Sequence, residues 1–283
     1  MDTYLATDPF RSDLGKPRTF ITRSTMRTYA RNNNMELLDY WHYKWIMYWL
    51  PVIEYATFDI QKSFNASLTS DGLHQGGLGP GVTDWNNNSN GWAGYNGTRP
   101  IIPCGFTNSL GNFTGIVDAK LPASTSISDS TVTTQEHTFH VIRYRGIEQP
   151  FGDIWTNLDG IVSFYNSTTS LRNYYSTNNP KYFGDTKDNK ELIASVSQFS
   201  NWVKEFSFSN NKAEIIPESE GGGGSSYKCD WHGDNTDTLV HTLLVGGHAV
   251  HGAGAGLGCL GSHYGVGDTW AGIGFRASKK INK

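Results

Sequence analysis

Eleven glycines fall between Val245 and Gly274, in the run VGGHAVHGAGAGLGCLGSHYGVGDTWAGIG. Glycine alone adopts positive φ without a steric penalty, so this density predicts tight turns and bulges rather than a regular sheet face. Between the glycines stand side chains that a folding core would not select, and loops on a rigid scaffold are where binding residues concentrate. The candidate ligand-binding residues are therefore His248, Val250, His251, His263, Tyr264, Asp268, Thr269 and Trp270. The alternative is a glycine-rich strand pair packed on a helix without a ligand.

The 283-residue chain can bury a full core, and α+β units of this size often form one domain with long insertions. Aromatic residues make up 13% and charged residues 17%, with a net charge of −3, so no basic field exists to recruit nucleic acid or an anionic membrane. The N-terminus has no basic segment followed by an apolar one, which argues against a secretory signal. The most apolar stretch, Trp45 to Ile53, is too short for membrane insertion. Cys104, Cys229 and Cys259 are odd in number and far apart, so neither a disulfide framework nor a paired-cysteine metal site is expected.

Residues 1–22 are polar and interrupted by Pro9 and Pro17, which predicts an extended N-terminal arm suited to docking. A helix is expected from near Ser24, with a pause at Asn32–Asn34 and a restart capped by Asn33. Leu38, Trp41, Trp45, Tyr48 and Val52 then recur at helical spacing and predict one aromatic core face, interrupted at Pro51. Trp45, Trp49, Trp155 and Phe275 are the expected core anchors. Leu68 to Gly115 reads as a long structured loop, and its Asp84–Tyr95 portion is a second candidate surface. Strands are predicted at TTQEHTFHVIRYRGI, at Gly160–Tyr165, around Val203–Phe208 and at TLVHTLLVGG, with a short helix at Asn189–Phe199.

Two carboxylate pairs, Asp153 with Asp159 and Asp234 with Asp237, are candidate catalytic dyads, although neighbouring positions on a loop fix no separation. Asp230, His232, Asp234 and Asp237 could place oxygen ligands around a hard cation, or form an ordinary polar turn. There is no nucleophile elbow, zinc-binding helix motif or phosphate-cradling glycine loop.

FGDIWTNLDG at Phe151–Gly160, followed by VGG at Val245–Gly247 and IGFR at Ile273–Arg276, resembles the formylglycine-generating-enzyme branch of the C-type-lectin-like fold. The whole chain, including YWLPVIEYATFDIQ and GLHQGGLGPGVTDW, is similar to virion proteins of gut tailed bacteriophages and prophages that end in such a domain. Targets of diversity-generating retroelements share this ending, with variable residues held between a Gly-Gly and a Gly-Phe-Arg. The resemblance implies an α+β, C-type-lectin-like domain over residues 23–283, with N-terminal helices, long glycine-rich loops and ligand-display hairpins at 240–277. It implies a receptor-binding virion protein, or adhesin, that engages a bacterial surface glycan or protein for host attachment. Its arm would dock on other virion proteins in a homo-oligomeric assembly made in the bacterial cytoplasm. A structural virion protein of a head or tail fibre, and a formylglycine-generating or glycan-cleaving enzyme, are the alternatives. The enzyme branch needs a close cysteine pair for copper, whereas Cys259 has only Cys229, thirty residues away. No cofactor is expected from the residues, although related folds suggest calcium near Asp153.

Overall fold

The computed structural model describes residues 18–66, 68, 104–105, 107–121, 126–128, 131–132, 137–207, 212–270 and 272–279. Residues 1–17 of the expected arm and the Asp84–Tyr95 loop lie outside them. Helices and strands are both present in an α+β arrangement.

Helix α1 (Arg23–Asn32) starts where the Thr22 hydroxyl accepts the Thr25 N–H at 3.3 Å. Met26 and Ala30, four residues apart, are fully buried, and Arg23 and Arg27 share that face. The chain does not restart as a helix at Asn33. It first forms β1 (Glu36–Leu37), which pairs antiparallel with β17 (Ala277–Ser278) at the other end of the chain. Asp39 is the actual cap, accepting N–H bonds from Trp41 at 2.9 Å and His42 at 3.1 Å.

The following helical run comprises α2 (Tyr40–His42), a π-helical segment (Tyr43–Trp49) and α3 (Leu50–Tyr55). The wider π turn shifts the buried face away from the α-helical repeat. Tyr43, Lys44, Met47, Tyr48 and Val52 are buried, while Trp45 is 47% exposed, so the expectation that Trp45 is a core anchor is corrected. Trp49 is half-buried and donates from Nε1 to the Ala213 carbonyl at 2.9 Å. Pro51 lies in the first turn of α3, where its missing N–H is tolerated, and does not break the run. A left-handed Ala56 ends α3, and α4 (Ile60–Ser63) follows, capped by Asp59.

The strands continue in chain order as β2 (Gly115–Leu121), β3 (Ser126–Ser128), β4 (Thr131–Val132), β5 (His137–Tyr144), β6 (Ile147–Glu148), β7 (Trp155–Asn157), β8 (Ile161–Asn166) and β9 (Leu171–Ser176). Then come β10 (Glu191–Ser197), β11 (Asn201–Ser207), β12 (Ile216–Glu220), β13 (Trp231–Gly233), β14 (Leu244–Val245), β15 (Leu260–Gly261) and β16 (Ile273–Gly274). Among the described residues the largest sheet has the order β12-β11-β13-β15-β14-β7-β16, beside three-stranded sheets β10-β9-β8 and β2-β5-β6 and the pairs β3-β4 and β1-β17.

The helix expected at Asn189–Phe199 is strand β10. A register shift between Leu192 and Ala194 breaks its alternation and gives Ile193, Ala194 and Val196 an apparently helical spacing. TLVHTLLVGG is likewise not one long strand. Only Leu244 and Val245 pair continuously, and His241 makes isolated bridges to Ser163 and Gly265.

One apolar cluster joins the helical run to Ile142, Tyr174, Val203, Phe206 and Leu260. A second, made of Met26, Leu37, Trp155, Leu244, Cys259, Ile273 and Phe275, lies under the glycine-rich end. Polar ties fasten the N-terminal helices to the second half of the chain. Arg23 donates to the Leu158 and Ile161 carbonyls at 3.2 and 2.7 Å, and the Tyr43 hydroxyl donates to the Leu257 carbonyl at 2.6 Å. No helix among the described residues is long and apolar enough to cross a membrane.

Candidate functional site: the aromatic and imidazole surface

The glycine-rich end is held from below. Strand β7 supplies Trp155, 1% exposed, and pairs with β14 on one side and with β16 on the other. Ile273 lies opposite Trp155 in the parallel pair, and Phe275 is fully buried. Of the hairpins expected over 240–277, one antiparallel strand pairing forms within the described residues of this segment. Strands β14 and β15 pair antiparallel, but β16 joins β7 in parallel.

Glycine is required where this segment turns. Gly247 has φ +70°, and a Cβ there would approach Ala255 within 3.0 Å and the Cys259 sulfur within 3.1 Å. Gly256 is constrained differently, by space rather than by backbone angle, since its Cβ would fall 1.8 Å from Asp230 Oδ1.

Six rings converge above this frame. Trp155 meets His251 at 4.9 Å, His248 at 6.1 Å and His263 at 6.4 Å between ring centres. His248 and His251 are 4.2 Å apart, His248 meets Trp270 at 5.2 Å, and His263 meets Tyr264 at 4.4 Å. Tyr264 and Trp270 lie nearly parallel, 6.3 Å apart. The structure thus brings together His248, His251, His263, Tyr264 and Trp270 among the expected ligand-binding residues. His248 is the deep member, 7% exposed, and the other four are half-buried. The Val250 side chain lies outside the described set. Thr269 is exposed, and Asp268 is exposed but closes a turn by accepting the Gly265 N–H at 2.8 Å.

Small residues seat these rings. His263 lies against Gly233 and Gly261, where added Cβ atoms would come within 3.0 and 3.1 Å of the imidazole. Trp270 folds back over Gly272, whose Cβ would strike the indole at 2.3 Å. Trp155, expected only as an anchor, is also the floor of the surface. Its place within FGDIWTNLDG signals the anchor, but nothing local in the sequence signals three imidazoles above it.

The histidines are held neutral. Burial lowers the pKa of His248 well below the ordinary value, and the neighbouring His251 and His263 add to this. Burial likewise lowers His263 and brings His251 down to about 4. The His251 Nδ1 accepts the His248 N–H at 3.2 Å, so its own proton sits on Nε2. His263 donates from Nδ1 to the Gly233 carbonyl at 3.2 Å. At neutral pH the surface is consequently aromatic and uncharged, apart from Asp268 at its rim.

This arrangement has a pH consequence. An unfolded histidine titrates near 6.5, whereas native His251 does so at about 4, so between these values the unfolded chain binds the extra proton. The contribution is present above about pH 6.5 and is lost as pH falls towards 4. His251→Asn should therefore show a shallower fall in unfolding free energy over this window than the parent, by as much as about 1.4 kcal/mol per pH unit. Urea denaturation at half-unit pH steps measures it, and identical slopes would show that His251 is not protected from protonation.

Asp159, Asp234 and Asp230 are engaged elsewhere. Asp159 receives a two-pronged ion pair from Arg27, and Asp234 pairs with Arg172 at 2.5 Å. Asp230 accepts the Gly258 N–H at 2.9 Å, and the His232 Nδ1 donates to the Leu260 carbonyl at 2.9 Å. The structure does not bring Asp230, His232, Asp234 and Asp237 together around a cation. Among the described residues no three His, Cys, Asp or Glu side chains converge as metal ligands. Asp153 is 1% exposed, and burial raises its pKa far above the carboxylate range; its charged neighbour is Arg276. Calcium takes six to eight oxygen ligands, so a single carboxyl beside a guanidinium does not fit the cation suggested there. The three cysteines are free and buried.

In comparison with known proteins, no family model matches the chain and no curated protein matches it.

Proposed function

We propose that this chain is a receptor-binding protein of a tailed phage particle, with a C-type-lectin-like scaffold presenting its glycine-rich end to a glycan or protein of the bacterial surface. The observation that carries the reading is the grouping of His251, His263, Tyr264 and Trp270 on one neutral, half-buried face between Gly-Gly and Gly-Phe-Arg. Beneath it, Trp155, Cys259 and Phe275 are buried. Separation of a fixed frame from exchangeable display positions is what the resemblance to retroelement targets implies. Half-exposed aromatics offer large contact area at low entropic cost, which suits recognition. The reading is one of binding without chemical turnover, with attachment to other virion proteins through the arm and assembly as a homo-oligomer.

Adsorption of the purified protein to host cells tests it. Tyr264→Ala should weaken adsorption tenfold or more, as expected of an interface hot spot of about 2 kcal/mol, and Trp270→Ala should do likewise. Tyr264→Ala should leave the melting transition close to the parent's because the ring is only half-buried. Unchanged adsorption by both variants, with folding intact, would move the binding face elsewhere.

A further inference from the structure

A cleft of about 440 Å³ opens between the end of the helical run and the β2–β5 sheet, away from the aromatic and imidazole surface. Small-ligand sites typically occupy about 300–1,000 Å³ and combine apolar walls with a few convergent polar groups. Tyr55, Ser63, Phe64, Asn65, Asp118 and His140 supply both kinds here.

The strand register explains how this wall forms. Ile116 faces Ile142 across β2 and β5, and Asp118 faces His140 two residues further along on the same sheet face. Ile142 is buried and Ile116 packs on the core, so one sheet face runs from core into cleft and changes there from aliphatic to polar. A carboxylate can only accept, so the His140 Nδ1 donates to Asp118 Oδ1, at 2.6 Å. That bond orients the imidazole and leaves Nε2 and the second carboxylate oxygen for a ligand.

The opposite wall is built on aromatic rings with polar groups at its edge. Phe64 is 3% exposed and meets Tyr55 edge-on at 5.4 Å and Tyr144 at 5.9 Å. Tyr55 is half-buried, so one part of its ring packs and another remains available. Asn65, exposed in a left-handed turn after α4, adds an amide with both donor and acceptor atoms. Ser63 donates its hydroxyl to the Asp59 carbonyl at 3.2 Å and keeps its lone pairs for accepting.

Charge narrows the ligand class. The Asp118 carboxylate accepts the His140 hydrogen bond, and the neighbouring Glu54 pairs with Arg145 at 3.0 Å. Among the described residues no lysine or arginine lines the cleft to draw in a phosphate or carboxylate. An aromatic ring facing closely spaced acceptors and donors suits a molecule with an apolar C–H face and adjacent hydroxyls, each able to donate and accept.

We propose that the cleft binds a neutral monosaccharide or disaccharide unit, packed on Tyr55 and hydrogen-bonded by Asp118, His140 and Asn65. This inference does not rest on the function assigned to the glycine-rich end.

Saturation-transfer NMR and calorimetric titration of the full chain test it, with glucose, galactose, mannose, N-acetylglucosamine and N-acetylgalactosamine as probes and inorganic phosphate as the charged comparator. At least one neutral sugar should bind. Tyr55→Ala and Asp118→Asn should each weaken that binding tenfold or more, while Tyr264→Ala leaves it unchanged. Asp118 has a side chain 65% exposed, so its variant should fold even if Tyr55→Ala does not. The proposal is overturned if no neutral sugar binds, if only phosphate binds, or if Asp118→Asn binds the sugar as the parent does.

Discussion

Trp155→Ala is expected to lower stability by about 3–5 kcal/mol, the cost of truncating a large buried aromatic. The indole is 1% exposed and packs with Leu244, Cys259, Ile273 and Phe275 below the three histidine rings. Its removal would leave a void where β7, β14 and β16 meet and would take away the ring on which His251 rests. Total stability of natural domains is only about 5–15 kcal/mol, so soluble yield should fall with it. Chemical denaturation of the parent, Trp155→Ala and Tyr264→Ala in parallel measures the contrast, with the Tyr264 variant remaining near the parent. Equal stability of Trp155→Ala and the parent, accompanied by lost adsorption, would make Trp155 a ligand contact rather than the floor of the site.

A loss of similar size, about 3–5 kcal/mol, should follow Arg27→Met, because breaking one side of a buried ion pair strands the other. Asp159 is fully buried, and Arg27 grips both of its oxygens while also reaching Asp185 at 3.0 Å. After the substitution, the carboxylate would keep the Gly160 N–H, at 2.9 Å, in place of the guanidinium. Adding Asp159→Asn should restore much of the loss, since a neutral amide costs less to bury than an uncompensated charge. Urea midpoints of the two single variants and the double variant give the coupling. A single-variant cost below about 1 kcal/mol, or no recovery in the double variant, would show that this pair does not fasten α1 to the β7–β8 connection.

Local signals found the elements whose chemistry is local. Helix α1, strands β5, β8 and β11, and the anchors Trp155 and Phe275 were readable from periodicity, caps and motif. Trp45 faces outward, against its helical spacing, because π winding depends on how the run packs and shifts the inward face without any marker in the sequence. Strand β10 reads as a helix in sequence because a bulge between Leu192 and Ala194 disguises its alternation.

The sequence by itself determined that the chain's end must be a turning, glycine-held ribbon, because only glycine tolerates positions such as Gly247, and it marked His248, His251, His263, Tyr264 and Trp270 as the side chains carried there. Tertiary structure alone decided how they are used. It stood the three imidazoles on Trp155 from nearly a hundred residues upstream and sank His248 below the others. It kept their rings neutral by burial, and it assigned Asp159 and Asp234 to distant arginines. Backbone torsion is a property of each residue, but burial and charge pairing belong to whichever neighbours the fold brings near, and no spacing along the chain encodes them.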